Sequence, residues 1–233
     1  MAYAFGAPSI VQDGLIFCVD PANKDSFAGT VASPGTLWSD IVGTNDVIIV
    51  NGVAFDTEFA GYLGFDGTSN YATSSLSLIN YTAASYDVWF KKSSASTNKY
   101  VISFPKGNND NGFDIAYVNS SQMGSYLVTS DGNGGGTVTA NVTYDDDKWH
   151  HVVSAFGDGY HKLYFDGELK DTQTKTGYIT VDGGTLTNRL YIGSFRMSLA
   201  SEPEDISCVK VYNKALSAEE VKQNYNALKG RFI

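Results

Sequence analysis

The sequence predicts an all-β fold, a two-sheet antiparallel β-sandwich with a short C-terminal helix. Three observations point there. Short apolar segments recur at roughly strand spacing, each bounded by Gly, Asp, Asn or Pro. The chain carries 24 glycines for turns, together with 15 tyrosines and 13 phenylalanines, which favour pleated, half-buried surfaces. Only one segment has helical periodicity, and it lies at the C-terminus. With 42% hydrophobic residues over 233 positions, there is enough apolar material for one large core, and intrinsic disorder is excluded. Residues 1–13 are expected to form an N-terminal arm, and residues 14–233 one sandwich domain.

The elements follow in order. Leu15-Ile16-Phe17-Cys18-Val19 is a continuous apolar run closed by Asp20-Pro21-Ala22-Asn23, as a buried strand should be. Residues 25–34 read as loop. Val47-Ile48-Ile49-Val50 is followed by Asn51-Gly52, a two-residue hairpin signal, and then by Val53-Ala54-Phe55. Tyr62 to Phe65 with the turn Asp66-Gly67, then Asn70 to Thr73, continue the pattern. In the middle, strands are expected at Tyr86–Phe90, Tyr100–Phe104, Phe113–Tyr117 and Ser125–Val128. The stretch 132–136 reads as a flexible loop. Thr137 to Val142 alternates, as a strand with one wet face does. Trp149–Phe156 and Lys162–Phe165 form a hairpin through Gly157-Asp158-Gly159, with Asp166-Gly167 as the next turn. Residues 177–181, 190–192 and 206–212 complete the strands. The helix opens on a capping box, Ser217 with Glu220, and continues through Val221, Tyr225 and Leu228 on one face, with Gly230 as its expected C-terminal cap.

Charge and composition exclude several functions. A net charge of −9 disfavours nucleic acid, because an acidic surface repels phosphate. No stretch approaches the roughly 18 apolar residues that span a bilayer, so membrane insertion is not expected. The N-terminus lacks the basic start, apolar run and cleavage site of a signal peptide, which predicts synthesis in the cytosol. Cys18 and Cys208 are too few for a disulfide framework and read as buried free thiols.

Two stretches carry a family resemblance. Asp147-Lys148-Trp149-His150-His151-Val152-Val153, followed by Leu163-Tyr164-Phe165-Asp166-Gly167-Glu168-Leu169, resembles the W-H-H-V and L-Y-x-D-G-x-L hairpin of laminin G-like and concanavalin A-like lectin and glucanase domains. Leu190-Tyr191-Ile192-Gly193 and the segment 206–221 resemble the final strand and closing helix of that family, and Gly64-Phe65-Asp66-Gly67 its early turn. The resemblance covers the chain from about Gly14 onward and implies a jelly-roll sandwich of the concanavalin A-like kind. Residues 7–15, with Asp20 and residues 23–27, and residues 224–232 are similar to laminin G-like structural proteins of tailed phages. That likeness implies a virion protein, made in the host cytoplasm, whose partners are phage capsid or tail proteins.

Candidate chemistry is sparse. A glycosidase needs two carboxylates at a defined separation, and the E-x-D-x-x-E strand pattern of laminarinase-like enzymes is absent. Glu202-Pro203-Glu204-Asp205 reads as an acidic loop. Asp145-Asp146-Asp147 reads as a solvated turn, and the adjacent His150 and His151 point to opposite faces of a strand. The family resemblance implies calcium near one rim, with Asp20, Asn23 and Asp205 as its ligands if the first and last strands are neighbours. Trp89 and Trp149 fall inside strand patterns and read as core. Trp38, placed in a loop, is the candidate for ligand contact. The expectation is a non-enzymatic, glycan-binding or adhesion module displayed on a phage capsid, tail or fibre, recognising host surface polysaccharide. The alternative is a decoration or cement protein that stabilises neighbouring virion subunits without binding sugar.

Overall fold

A computed structural model describes residues 9–95, 97–106, 112–131, 135–180, 189–195 and 203–233. The chain runs through β1 (Leu15–Val19), β2 (Leu37–Trp38), β3 (Val47–Val50), β4 (Ala54–Asp56), β5 (Tyr62–Asp66), β6 (Tyr71–Ser74), β7 (Ala84–Lys91) and β8 (Lys99–Phe104). There follow β9 (Phe113–Asn119), β10 (Gln122–Val128), β11 (Gly135–Asn141), β12 (Trp149–Gly157), β13 (Tyr160–Phe165), β14 (Glu168–Thr174), β15 (Leu190–Ile192), β16 (Pro203–Tyr212) and α1 (Ala218–Phe232).

These strands make two antiparallel sheets. The first has the order β14-β13-β12-β7-β16-β5-β4, with β1 also paired to β16, and the second has the order β11-β10-β9-β8-β15-β6-β3-β2. Their inner faces meet in one core, where Phe17, Val88, Phe90 and Val152 of the first sheet join Ile49, Ile115, Leu127 and Ile192 of the second. Period-two alternation puts these side chains inward, and their burial is the main stabilising term. A polar contact also bridges the sheets, between β10 of the second and β12 and β13 of the first. Ser125 Oγ lies 2.7 Å from Ser154 Oγ, and His161 Nε2 lies 3.0 Å from each. Burial and the charge of Lys175 push the His161 pKa down to about 3, so this imidazole is neutral.

The strands β7 and β12 are buried along nearly their whole length because α1 covers their outer face. Trp89, Trp149, Cys208 and Phe232 form a cluster beneath the helix, with Trp89 stacked on Phe232 at 4.5 Å. The helix is fixed by a buried ionic group. Lys210 Nζ lies 2.6 Å from Asp87 Oδ1, His151 Nε2 lies 3.1 Å from the same oxygen, and Asn224 Nδ2 donates to Asp87 Oδ2 at 2.7 Å. All four side chains are buried. Burial would raise the Asp87 pKa, but Lys210 and His151 outweigh it and hold the carboxyl well below the usual range. Asn224 Oδ1 also accepts the Val11 N–H at 2.8 Å, so residue 11 packs against the helix. The expected arm is described only over residues 9–13.

The capping box is present, with the Glu220 N–H donating to Ser217 Oγ and the Ser217 N–H to the Glu220 carboxylate. Gly230 is not the cap; the helix continues through it to Phe232, because Arg231 and Phe232 are both held by the sheet. The turns Asp158-Gly159 and Asp166-Gly167 close the expected hairpins with positive φ at all four residues. Asn51-Gly52 also has positive φ at both residues, but joins β3 of one sheet to β4 of the other. A turn signal sets the reversal and not the partner. Residues 177–180 contribute one bridge, Thr129 with Ile179, in place of a strand; residue 181 lies outside the described residues. Of the expected loop at 132–136, Gly135 and Gly136 belong to β11 and residues 132–134 lie outside the described residues.

Trp38 corrects the sequence expectation. It belongs to β2, opposite Val47, and its side chain is fully buried in the main core. Leu37 faces solvent, so the alternation of an edge strand turns Trp38 inward and away from any ligand.

Candidate functional site

At one rim of the sandwich a cleft of about 630 Å³ opens beside the C-terminal end of α1. Its floor is aromatic. Trp149, the first residue of β12, packs on Phe232 at 4.8 Å, on Tyr62 at 5.5 Å and on Phe59 at 5.8 Å between ring centroids. Trp149 is only 3% exposed, whereas Phe59 is 38% exposed and offers its ring to solvent. Phe59 sits in a short 3-10 turn, Glu58–Ala60, with φ +50°, followed by Ala60 at +63°. A bulky side chain in this left-handed region costs about 1–2 kcal/mol and persists only where the surroundings impose it. Asp147 (+59°) and Asp166 (+52°), also on the cleft, share the conformation.

Charges line the walls in matched sets. Lys91 Nζ lies 3.1 Å from Asp205 and 3.8 Å from Asp147, and stands 5.4 Å from the Tyr62 ring centroid. Burial, assisted by Asp205 and other carboxylates nearby, pushes Tyr62 up to about 12, so its hydroxyl stays protonated. Burial also raises the Asp205 pKa against the opposing pull of Lys91. His150 stands between two carboxylates, with Nδ1 2.9 Å from Asp166 and Nε2 3.1 Å from Asp146. Burial lowers its pKa, but Asp166 and then Asp146 outweigh that effect, and the net shift is upward. For Asp146 burial raises the pKa, and hydrogen bonds from Lys148 and His150 reverse this and bring it to about 2. Asp146 is thus no plain solvated turn residue, and His150 faces the cleft while His151 serves the buried ionic group. Glu204 is likewise no loop residue: it lies buried in β16 and accepts the Tyr117 hydroxyl.

The residues expected to hold calcium do not fit that ion. The first and last strands are indeed neighbours, with Val19 opposite Val209. Asp205, however, lies further along β16, opposite Gly64 of β5. Each carboxylate already has a cation of the chain. Arg231 Nη1 donates to both oxygens of Asp20 at 2.8 and 2.9 Å, and Lys91 holds Asp205. The side-chain oxygen of Asn23 accepts the Asp25 N–H. Among the described residues no group of three or more His, Cys, Asp or Glu could hold a metal ion. Arg231 also donates to the Gly61 carbonyl at 2.7 Å and the Ser207 hydroxyl at 2.5 Å, filling the seam where β1 ends and β5 begins along β16. Cys18 and Cys208 are free and buried on the paired strands β1 and β16. The neighbouring Cys18 thiol and burial push the Cys208 pKa well up, which keeps that thiol unreactive.

A family model described as the concanavalin A-like lectin/glucanases superfamily, of the laminin G type, matches residues 66–222. No curated protein matches the chain. Among solved structures, the binding domain of botulinum neurotoxin serotype D superposes with TM-score 0.65 at 18% identity, covering 91% of this chain and 51% of that one. The receptor-binding domain of the type G neurotoxin gives 0.66 at 15% identity, covering 91% and 51%. The binding domain of neurotoxin DC in complex with SialylT gives 0.66 at 15%, covering 93% and 52%. At such identities the likeness establishes the fold alone, and the chain spans about half the length of these structures.

Proposed function

Since the chain belongs to the concanavalin A-like lectin/glucanases superfamily, we propose that it is a non-catalytic glycan-binding module whose sugar site is the Phe59–Trp149 cleft. One observation carries this: an exposed aromatic ring, held in a strained backbone conformation, borders a concave site whose polar groups are mostly paired among themselves. Four side-chain carboxylates, Glu58, Asp146, Asp147 and Asp166, line it together with Lys91, Lys148 and the titratable His150. Such walls offer many donors and acceptors of both kinds, which suits a polyol stacked on a ring. Neither Asp146 nor Asp166 is free to act as a glycosidic acid, because both bond the same imidazole. Burial raises the Asp205 pKa, but its carboxylate is occupied by Lys91.

The particle context, display on a phage capsid, tail or fibre facing host polysaccharide, rests on the sequence likeness at the two ends of the chain. Many weak sites on one particle would act together by avidity. The test is a glycan array read with the wild-type protein and Phe59→Ala. Signals on a defined set of glycans that fall in the variant support the proposal; a blank array for a folded wild-type protein overturns it.

One observation favours the cement role instead. Leu37 and Ile48, directly opposed on the β2–β3 edge, are both exposed, as are Ile41 and Val42 in the loop that follows. A blank array together with particles that lose stability when the protein is absent would establish that alternative.

A further inference from the structure

We infer that protonation of His150 fastens one wall of the cleft, so that the site is formed when this imidazole is charged and loosens when it becomes neutral. The inference rests on the proposed sugar site for its functional meaning, but not for its structural content. A neutral imidazole has one N–H, whereas the imidazolium has two. His150 has a carboxylate oxygen against each nitrogen, Asp166 at 2.9 Å and Asp146 at 3.1 Å. Only the imidazolium donates to both. In the neutral form one nitrogen would turn a lone pair toward a carboxylate oxygen, which is repulsive.

The two carboxylates are not equally secured, which decides where the contact breaks. Asp166 is tied to β12 without the ring, because its Oδ1 accepts the His151 N–H at 2.9 Å and its own N–H donates to the His151 carbonyl at 2.8 Å. Without the ring, Asp146 has among the described residues only its neighbour Lys148, whose ammonium is 2.8 Å away on an exposed side chain, and whose N–H donates to Oδ1 at 3.2 Å. The neutral ring therefore keeps Asp166 through Nδ1–H and releases Asp146. Asp147 follows it with φ +59° and one backbone tether, its N–H to the Lys92 carbonyl at 3.0 Å. Residues 146–148 are the part of the wall set free.

The other elements against His150 do not substitute for the lost proton. Phe90 of β7 and Phe165 of β13 present rings at 6.1 and 4.7 Å between centroids. The adjoining cation on β7, Lys91, is engaged by Asp205 and Asp147. Glu58 and Asp147 also line the cleft, and Asp147 is paired with Lys91. Burial opposes the charged form, but Asp166 and Asp146 raise the pKa above the ordinary imidazole value of 6.5. The sign follows from a raised value: the wall is fastened below that range and loosens as pH rises through the folded-state pKa.

The experiment uses the whole chain, with imidazole NMR shifts of His150 and the hydrogen-exchange protection of the Lys148 amide measured between about pH 6 and about pH 9. Protection, corrected for the intrinsic pH dependence of exchange, should fall about tenfold as His150 loses its proton. Asp146→Asn removes the anion that the lone pair would face, so protection in that variant should not depend on pH. Affinity for any glycan found on the array should fall with the same midpoint. Flat wild-type protection while His150 titrates overturns the inference, as does a His150 midpoint below 6.5. Protection that follows His150 while no glycan binds supports the inference and counts against the sugar site.

Discussion

Lys210→Met tests the buried ionic group that anchors α1. The substitution keeps the volume of the stem and removes the ammonium 2.6 Å from Asp87, leaving a carboxylate with no exposure to water. Breaking one partner of a buried pair costs about 3–5 kcal/mol, because the remaining charge is uncompensated. Here Asn224 still donates to Asp87 at 2.7 Å, which places the cost near the lower end, about 3 kcal/mol. For a domain of this size that corresponds to a fall in Tm of about 6–12 °C. The double variant Asp87→Leu with Lys210→Met buries no charge, and Asn224 keeps the Tyr212 hydroxyl as a partner at 2.9 Å. It should be more stable than Lys210→Met alone. Urea unfolding followed by tryptophan fluorescence measures both, provided that m is unchanged. A loss below about 1 kcal/mol for the single variant, or a double variant whose loss equals the sum of the singles, would refute the account of the group as a coupled unit.

Acid unfolding should follow the depressed carboxyls. Backbone N–H groups, Ser69 first, hold Asp66 well below the usual range, and Lys210 and His151 hold Asp87 there against burial. Stability from these groups is present above the ordinary carboxylate value of 3.8 and is lost as pH falls below it, which near-ultraviolet circular dichroism will show. Lys210→Met should shrink that acid-dependent loss. Trp38→Ala should cost about 3–5 kcal/mol in urea unfolding and leave glycan affinity unchanged. Phe59→Ala should do the reverse, lowering affinity about fivefold while changing stability by under about 1 kcal/mol. Gly193→Ala should destabilise by about 1–3 kcal/mol, since φ is +72° and a Cβ would meet the Phe65 ring at 2.5 Å.

The sandwich was readable because its signals are local. Alternation in β11, the apolar runs of β1 and β12, the Asp-Gly turns and the Ser217 capping box each act within a few residues of where they appear. Trp38 failed that test because a strand of two residues carries no period of its own, and its inward face is set by pairing with β3. Asn51-Gly52 failed because a turn fixes local φ and ψ, while the packing of the two sheets chooses what the following strand meets. Most of the cleft was not readable. Phe59, Lys91, His150, Asp166 and Phe232 are far apart in sequence, and the positive φ that displays Phe59 is imposed by tertiary contacts. The W-H-H-V stretch did mark its floor, but His150 gains its role only through Asp146 and Asp166. Asn224 was not singled out either, because its burial against Asp87 is set by the docking of the helix and not by its neighbours in the chain.

Arg231 has a consequence for local opening. The last turn of a helix ordinarily frays with little effect on the rest of a domain. In this chain that turn carries the guanidinium filling the seam between β1 and β5, and the Phe232 ring stacked on Trp89. Unwinding it would strip the cation from Asp20, uncover two tryptophans and remove one side of the cleft in a single step. Fraying is therefore coupled to the integrity of the rim, and a partner seated in the cleft would hold the turn closed.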